Sequence, residues 1–140
     1  MHHSVDDCHF IDLPTYPDHR GKLSFVQNDQ KLVDFDFARM YFLFDVPFGG
    51  QRAGHAHRNL RQLFFAFSGA YNLVLDDGFE QRTVRIDQPN RPFVVKPNIW
   101  RVVDQFTSGA VCAVLASELY DDSDYIRDHN EFLSYARELK

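Results

Sequence analysis

The chain has 140 residues, 44% of them hydrophobic and 25% charged, the balance of a folded globular protein rather than a disordered one. A net charge of −5 offers no basic field to a phosphate backbone, which argues against generic nucleic-acid binding. No apolar run nears the roughly 20 residues that span a bilayer, and Met1-His2-His3-Ser4-Val5-Asp6-Asp7 has neither the cationic nor the apolar stretch of a signal peptide. Cys8 and Cys112 lie far apart without a CxxC pair, which fits a reducing cytoplasm. One cytoplasmic domain over residues 1–140 is expected, with no membrane and no nucleic-acid partner.

In chain order, short runs rich in Phe, Val, Tyr and Leu alternate with Gly, Pro, Asn and Asp. They predict strands at Leu23–Gln27, Ala38–Val46, Gln62–Phe67, Ala70–Leu75, Gln81–Ile86, Phe93–Lys96, Trp100–Asp104 and Ala110–Ala116. Ser68-Gly69 marks a corner, and Asp76-Asp77-Gly78 a tight hairpin, because Asp-Gly readily supplies positive φ. From Ser123 to Leu139 the residues Ile126, Phe132, Leu133, Ala136 and Leu139 recur at helical spacing, with Ser123 or Asp122 as N-cap. The acidic run Asp121-Asp122-Ser123-Asp124 then reads as a helix start, where negative charge favours the dipole. The expected fold is all-β, a small antiparallel jelly-roll barrel over about residues 18–117 with a short C-terminal helix over about 123–139. Function is expected in the barrel's pocket.

The chemistry-bearing segment is Gly49-Gly50-Gln51-Arg52-Ala53-Gly54-His55-Ala56-His57. Alternate residues of a strand share a face, so His55 and His57 point one way and Ala56 the other. Such a pair can ligate a metal, act as an acid–base couple, or sit at the surface. The remaining histidines His2, His3, His9, His19 and His129 show no partner pattern and read as solvated.

Gly49 before the pair and Gly69 after the next apolar strand resemble the first motif of the cupin superfamily of small jelly-roll barrels. Metal-binding cupins add a Glu after the pair and a later His. Here those places fall to Gln62 and to Arg101, which follows Pro97-Asn98-Ile99-Trp100. An amide is a poor ligand and a guanidinium a repulsive one, so no metal is expected.

The resemblance sharpens through Asp18-His19-Arg20-Gly21-Lys22-Leu23, Arg39-Met40-Tyr41-Phe42-Leu43-Phe44-Asp45, Arg52-Ala53-Gly54-His55-Ala56-His57, Leu75-Asp76-Asp77-Gly78, Leu115-Ala116-Ser117 and Tyr120-Asp121-Asp122-Ser123-Asp124-Tyr125-Ile126-Arg127. In that order, over roughly Asp18 to Phe132, they are similar to the WxcM-like metal-free cupins, the dTDP-4-keto-6-deoxyglucose 3,4-ketoisomerases. Two positions depart from that pattern: Arg101 stands where relatives usually carry His, and Arg61 where a Glu is common.

The resemblance implies an isomerase that moves a ketone from C4 to C3 of a dTDP-linked 6-deoxyhexose through an enediol, without metal or redox cofactor, in supplying deoxyamino sugars for surface glycans such as O-antigen. It implies His57 as the base at carbon, His55 as a shuttle or hydrogen-bonder at the sugar oxygens, and Tyr41 and Arg52 as donors to the enediolate. Arg20, Arg101 and Arg39 are the candidates to grip the diphosphate. Gln62 is open between a substrate contact and a barrel-lining hydrogen-bonder, and Arg101 between ligand and a salt bridge to Asp104 or a dimer mate. A homodimer that exchanges its N-terminal strand is a further implication. The rival readings are a dTDP-sugar 3,5-epimerase, whose His–Asp pair has no evident match here, and an inactive nucleotide-sugar-binding cupin.

Overall fold

The structure, a computed structural model, describes residues 1–140 apart from the side chain of Ala53. Its strands in chain order are β1 (His9–Phe10), β2 (Thr15–Asp18), β3 (Gly21–Ser24), β4 (Arg39–Leu43), β5 (Arg52–His57), β6 (Gln62–Ser68), β7 (Tyr71–Asp76), β8 (Gln81–Ile86), β9 (Phe93–Val95), β10 (Trp100–Asp104), β11 (Val111–Ala116) and β12 (Tyr125–Ile126). One helix, α1 (His129–Leu139), closes the chain. Two five-stranded antiparallel sheets, in the orders β1-β9-β6-β11-β4 and β12-β5-β10-β7-β8, face each other across a shared core. This is the expected all-β barrel with a short C-terminal helix.

The core is built by both sheets. Phe64, Phe93, Val95, Cys112 and Val114 from one meet Tyr71, Leu73, Leu75, Ile86 and Val103 from the other. The first sheet is also covered outside, since Leu63 and Phe65 of β6 turn away from the barrel onto Ile11, Leu13, Val33 and Phe35. This explains why β6 reads as a continuous apolar run rather than an alternating one.

The second sheet is covered by α1. Ala56 of β5 is fully buried with Ile126, Phe132 and Ala136, and Trp100 packs against that cluster. The helix is tied down at three places. Asp128 caps it by accepting from the Glu131 amide, His129 Nε2 lies 3.0 Å from Asp76 Oδ2, and Tyr135 donates to Asn98 Oδ1. Outward Ala56 fixes the register, so His55 and His57 must point into the barrel.

Several sequence expectations shift. The helix begins at His129, not Ser123, because Tyr125–Ile126 pairs with β5 and Asp128 takes the cap. Ile126 kept helical spacing only by coincidence, being buried from a strand. Asp76-Asp77-Gly78 opens a four-residue loop, since Asp76 pairs with Gln81, and the Asp77 carboxylate ties that loop by accepting from the Phe79 and Glu80 amides. Residues 21–24 pair only with β2, so they form an exposed hairpin outside both sheets. His129 and His3 are not simply solvated, because His3 Nδ1 contacts the Pro97 carbonyl at 3.0 Å.

Gly54 packs against the Trp100 and Val102 side chains of β10. A Cβ there would sit 2.6 Å from Trp100 Nε1 and 2.8 Å from Val102 Cγ2. Gly54→Ala is therefore expected to destabilise the fold by about 1–3 kcal/mol through overpacking. Urea unfolding at unchanged m-value is the measurement, and an unaltered midpoint would contradict this packing.

Candidate active site

A cavity of about 300 Å³ lies between the sheets, lined by Tyr41, Leu43, Arg52, His55, Phe64, Arg101, Val103, Cys112 and Arg127. A larger cleft of about 460 Å³ under the β2–β3 hairpin has Lys22 as its one charged lining residue, so it offers no acid–base couple. The inner cavity collects polar groups from four elements. Tyr41 comes from β4, where Tyr41 and Leu43 face the cavity while Met40 and Phe42 are exposed. His55 comes from β5, and directly across the ladder stands Arg101 of β10. Arg127 follows β12.

A bulge decides the place of Arg52. Arg101 pairs with His55 but Val103 pairs with Arg52, so β5 carries one extra residue in that interval. On a regular strand Arg52 would share the outer face with Gly54 and Ala56. The extra residue reverses that parity and brings Arg52 to the cavity beside His55.

Arg101 is only 5% exposed and anchors the buried polar network. Its Nε donates to Gln62 Oε1 at 3.1 Å and its Nη2 to the Tyr41 oxygen at 3.0 Å. Gln62 Nε2 donates to the same phenol oxygen at 2.7 Å. Because a guanidinium only donates, Gln62 must turn its oxygen to Arg101 and its nitrogen to Tyr41. Both acceptor positions of the Tyr41 oxygen are then used, and its own O–H is left as a donor. Burial raises the Tyr41 pKa, so the phenol stays protonated. Arg101 forms no ion pair among the described residues; its guanidinium carbon lies 5.3 Å from the Phe64 ring centre. Asp104 does not reach it, having the opposite strand parity.

The histidines stand beside this network. The His55 and His57 rings are 4.9 Å apart, and Tyr125 lies 4.9 Å from the first and 4.3 Å from the second. His55 belongs to the cavity wall. His57 is 4% exposed and sits next to it, with Nδ1 3.1 Å from Asp124 Oδ2 and a buried Nε2 that has no hydrogen-bond partner among the described residues. Burial lowers the His57 pKa from 6.5 to about 4, aided by Arg101 and Arg39 and opposed by Asp124. Among the described residues no group of three or more His, Cys, Asp or Glu is placed to hold a metal ion. Arg127 stacks on Tyr125, its guanidinium carbon 4.1 Å from the ring centre, and pairs with Asp122 at 3.0 Å.

The model of the WxcM-like, C-terminal family (FdtA) matches residues 6–137. The chain belongs to that family. It is 34% identical over 122 residues, 87% of each chain, to a TDP-4-oxo-6-deoxy-alpha-D-glucose-3,4-oxoisomerase of Aneurinibacillus thermoaerophilus. The TDP-quinovose 3,4-ketoisomerase of Campylobacter jejuni superposes with a TM-score of 0.87 at 35% identity, over 93% of this chain and 99% of that one. A 3,4-ketoisomerase of Thermoanaerobacterium thermosaccharolyticum, solved as a histidine-to-asparagine variant in complex with TDP-4-keto-6-deoxyglucose, gives 0.91 at 27% identity, over 96% and 97%.

In this WxcM-like chain the fold brings together Tyr41, Arg52, His55 and Arg101 at the cavity, with His57 and Gln62 against them. Gln62 is a support for Tyr41 and Arg101, since both ends of its amide are engaged there. Two expected substrate contacts lie elsewhere. Arg20 is at the tip of the exposed hairpin, paired with Asp18 at 2.8 Å, because β2 and β3 pair only with each other. Arg39 is outside the cavity wall. Its Nε donates to the Glu118 carbonyl, and its guanidinium lies between the Tyr41 and Tyr120 rings at 5.3 and 5.8 Å.

Sequence reasoning missed Asp124 and Arg127. Asp124, expected as part of a helix start, is 7% exposed and supplies a histidine–carboxylate contact. The two-residue alternation of Tyr125 and Arg127 was the available signal for Arg127, hidden by the assumption of a helix.

The burial of His57 has a measurable consequence. In a side-chain NMR titration its ring is expected to stay neutral well below pH 6.5, with a midpoint near 4. The unfolded chain takes up that proton first, so this group also makes stability fall as pH drops from 6.5 toward 4. A midpoint at or above 6.5 would show a solvated ring.

Proposed function

We propose that this chain is a TDP-sugar 3,4-ketoisomerase that converts dTDP-4-keto-6-deoxyglucose to its 3-keto isomer through an enediol. One observation carries the reading at the level of chemistry: a histidine pair adjoins a buried guanidinium that has no carboxylate partner among the described residues and holds a tyrosine O–H ready to donate. Moving a ketone along a sugar needs those two things side by side, a base for a carbon proton and a site for the negative oxygen it creates.

His57 is assigned as the base. Its Nε2 takes the proton from C3, the electron pair forms the C3–C4 double bond, and the O4 charge develops toward Arg101 and the Tyr41 hydroxyl. A lowered pKa keeps the base unprotonated at neutral pH, and the growing charge on O4 raises its proton affinity as the proton transfers. O4 gains a proton and O3 loses one, with His55 in the wall as shuttle. C4 is then protonated, leaving the ketone at C3 with all protons accounted for. Arg52, expected as a donor to the enediolate, is an exposed cation of the cavity like Arg127, and both suit the diphosphate better. Arg101 is better placed for the sugar oxygen than for the diphosphate, because it is bonded to Tyr41 deep in the barrel.

The test is NMR in D2O with dTDP-4-keto-6-deoxyglucose. Transfer of the ketone to C3 with deuterium at C4 is the expected result; exchange at C5 marks an epimerase, and binding without turnover an inactive binder. His57→Asn is expected to lower kcat by about 10²–10⁴-fold. A variant as fast as the parent would remove His57 as the base.

The enzyme is further read as a cytoplasmic homodimer working in deoxyamino-sugar supply for surface glycans. Among the described residues no helix is long and apolar enough to cross a membrane, and both cysteines are buried free thiols. For the dimer, β4 is a sheet edge and presents exposed Met40 and Phe42 beside Phe44. The β2–β3 hairpin exposes Tyr16 and Leu23, and Phe25 just after it is exposed too. A hairpin exchanged between two copies also gives Arg20 a route to a substrate. Phe42→Asp is expected to shift the protein from dimer to monomer in analytical ultracentrifugation; an unchanged dimer would exclude this edge.

A further inference from the structure

A further cleft, of about 310 Å³, opens at the other end of β5. Arg52, at the start of that strand, lines the inner cavity, whereas Arg58, just past its end and about 17 Å further along, lines this one. Arg61, Asn59, His3 and Glu118 share its wall. The turn that carries the two arginines is pinned, because all four of its backbone N–H groups are used. Arg58 donates to the Asp124 carbonyl, Asn59 and Leu60 to the Asp124 carboxylate, and Arg61 to Ser117 Oγ. Whatever enters the cleft at this turn must therefore be held by side chains.

Those side chains are donors with little to satisfy them. The Arg58 guanidinium lies over the Tyr135 ring at 4.9 Å, and its ion-pair partner Glu131 stands at 3.8 Å, beyond hydrogen-bond reach. Arg61 is bonded through its backbone alone among the described residues. Glu118 is exposed and pairs with neither arginine. His3 supplies an acceptor instead. Its Nδ1 carries the proton, since it faces the Pro97 carbonyl at 3.0 Å, and burial lowers its pKa, which leaves Nε2 with a bare lone pair. Two guanidiniums on one wall repel each other, and their planar forks match the oxygens of a phosphate. We propose that this cleft binds a phosphate group, free or carried as the monoester of a small molecule, gripped by Arg58 and Arg61 with help from the Asn59 side-chain amide. His3 Nε2 is available to a hydroxyl of the same ligand. Nothing in this site depends on the ketoisomerase reading, since none of its residues lines the inner cavity.

The experiment is ¹H–¹⁵N NMR of the full chain at neutral pH, titrated with inorganic phosphate and separately with glucose 1-phosphate, against sodium chloride at matched ionic strength. Saturable shifts of the Arg58 and Arg61 Nε–H and Asn59 side-chain NH₂ signals are expected with phosphate and not with chloride. Tighter binding of the ester marks a carried phosphate as the ligand, and equal binding the free anion. Arg61→Gln keeps the backbone bonds of the turn and is expected to weaken binding about tenfold. In the parent alone, shifts that fail to saturate, that chloride reproduces, or that are confined to Arg52 and Arg127 overturn the proposal. A variant that binds phosphate as tightly as the parent overturns it as well.

Discussion

Close packing of β5 between β10 and β12 is the constraint on which the rest of the site depends. Its outer face has no room to spare: Ala56 is fully buried under α1, and Gly54 meets the Trp100 indole where even one carbon would clash. With those two residues forced outward, both imidazoles are forced inward. The same strand takes Arg101 as a cross-strand neighbour on one side and Tyr125 on the other. The helix is therefore not an appendage. By filling the outer face it fixes which way the chemistry points.

The cavity it creates is electrostatically unfinished. Arg101 gives up bulk water for one amide oxygen, one phenol oxygen and the face of Phe64, and nothing anionic among the described residues balances it. A buried cation left in this state costs stability, a pattern expected of functional rather than structural residues. The same cation contributes to the lowered pKa of His57. The buried guanidinium and the His57 ring are thus linked by one field, which helps keep the ring neutral.

What was legible in the residues follows from range. Strands such as Gln81–Ile86 and Trp100–Asp104 have the bounds their alternation implies, because period and turn residues act locally. The last stretch misled for the same reason. Ile126 and Phe132 are apolar for two different purposes, one in a strand and one in a helix, and local spacing merges them. Arg20 stands in a recognisable motif, but a motif does not say whether its hairpin lies over the chain's own cavity.

The strand-rich class, the shared face of His55 and His57, and the ordered motifs of the WxcM-like family are properties of neighbouring residues or of their order. Only the tertiary structure decided that Asp124 meets His57, that Arg101 joins Gln62 and Tyr41, and that a bulge turns Arg52 inward. These contacts join segments far apart in the chain. They are fixed by sheet register and by one extra residue in a strand, and neither leaves a periodic trace in the amino acids.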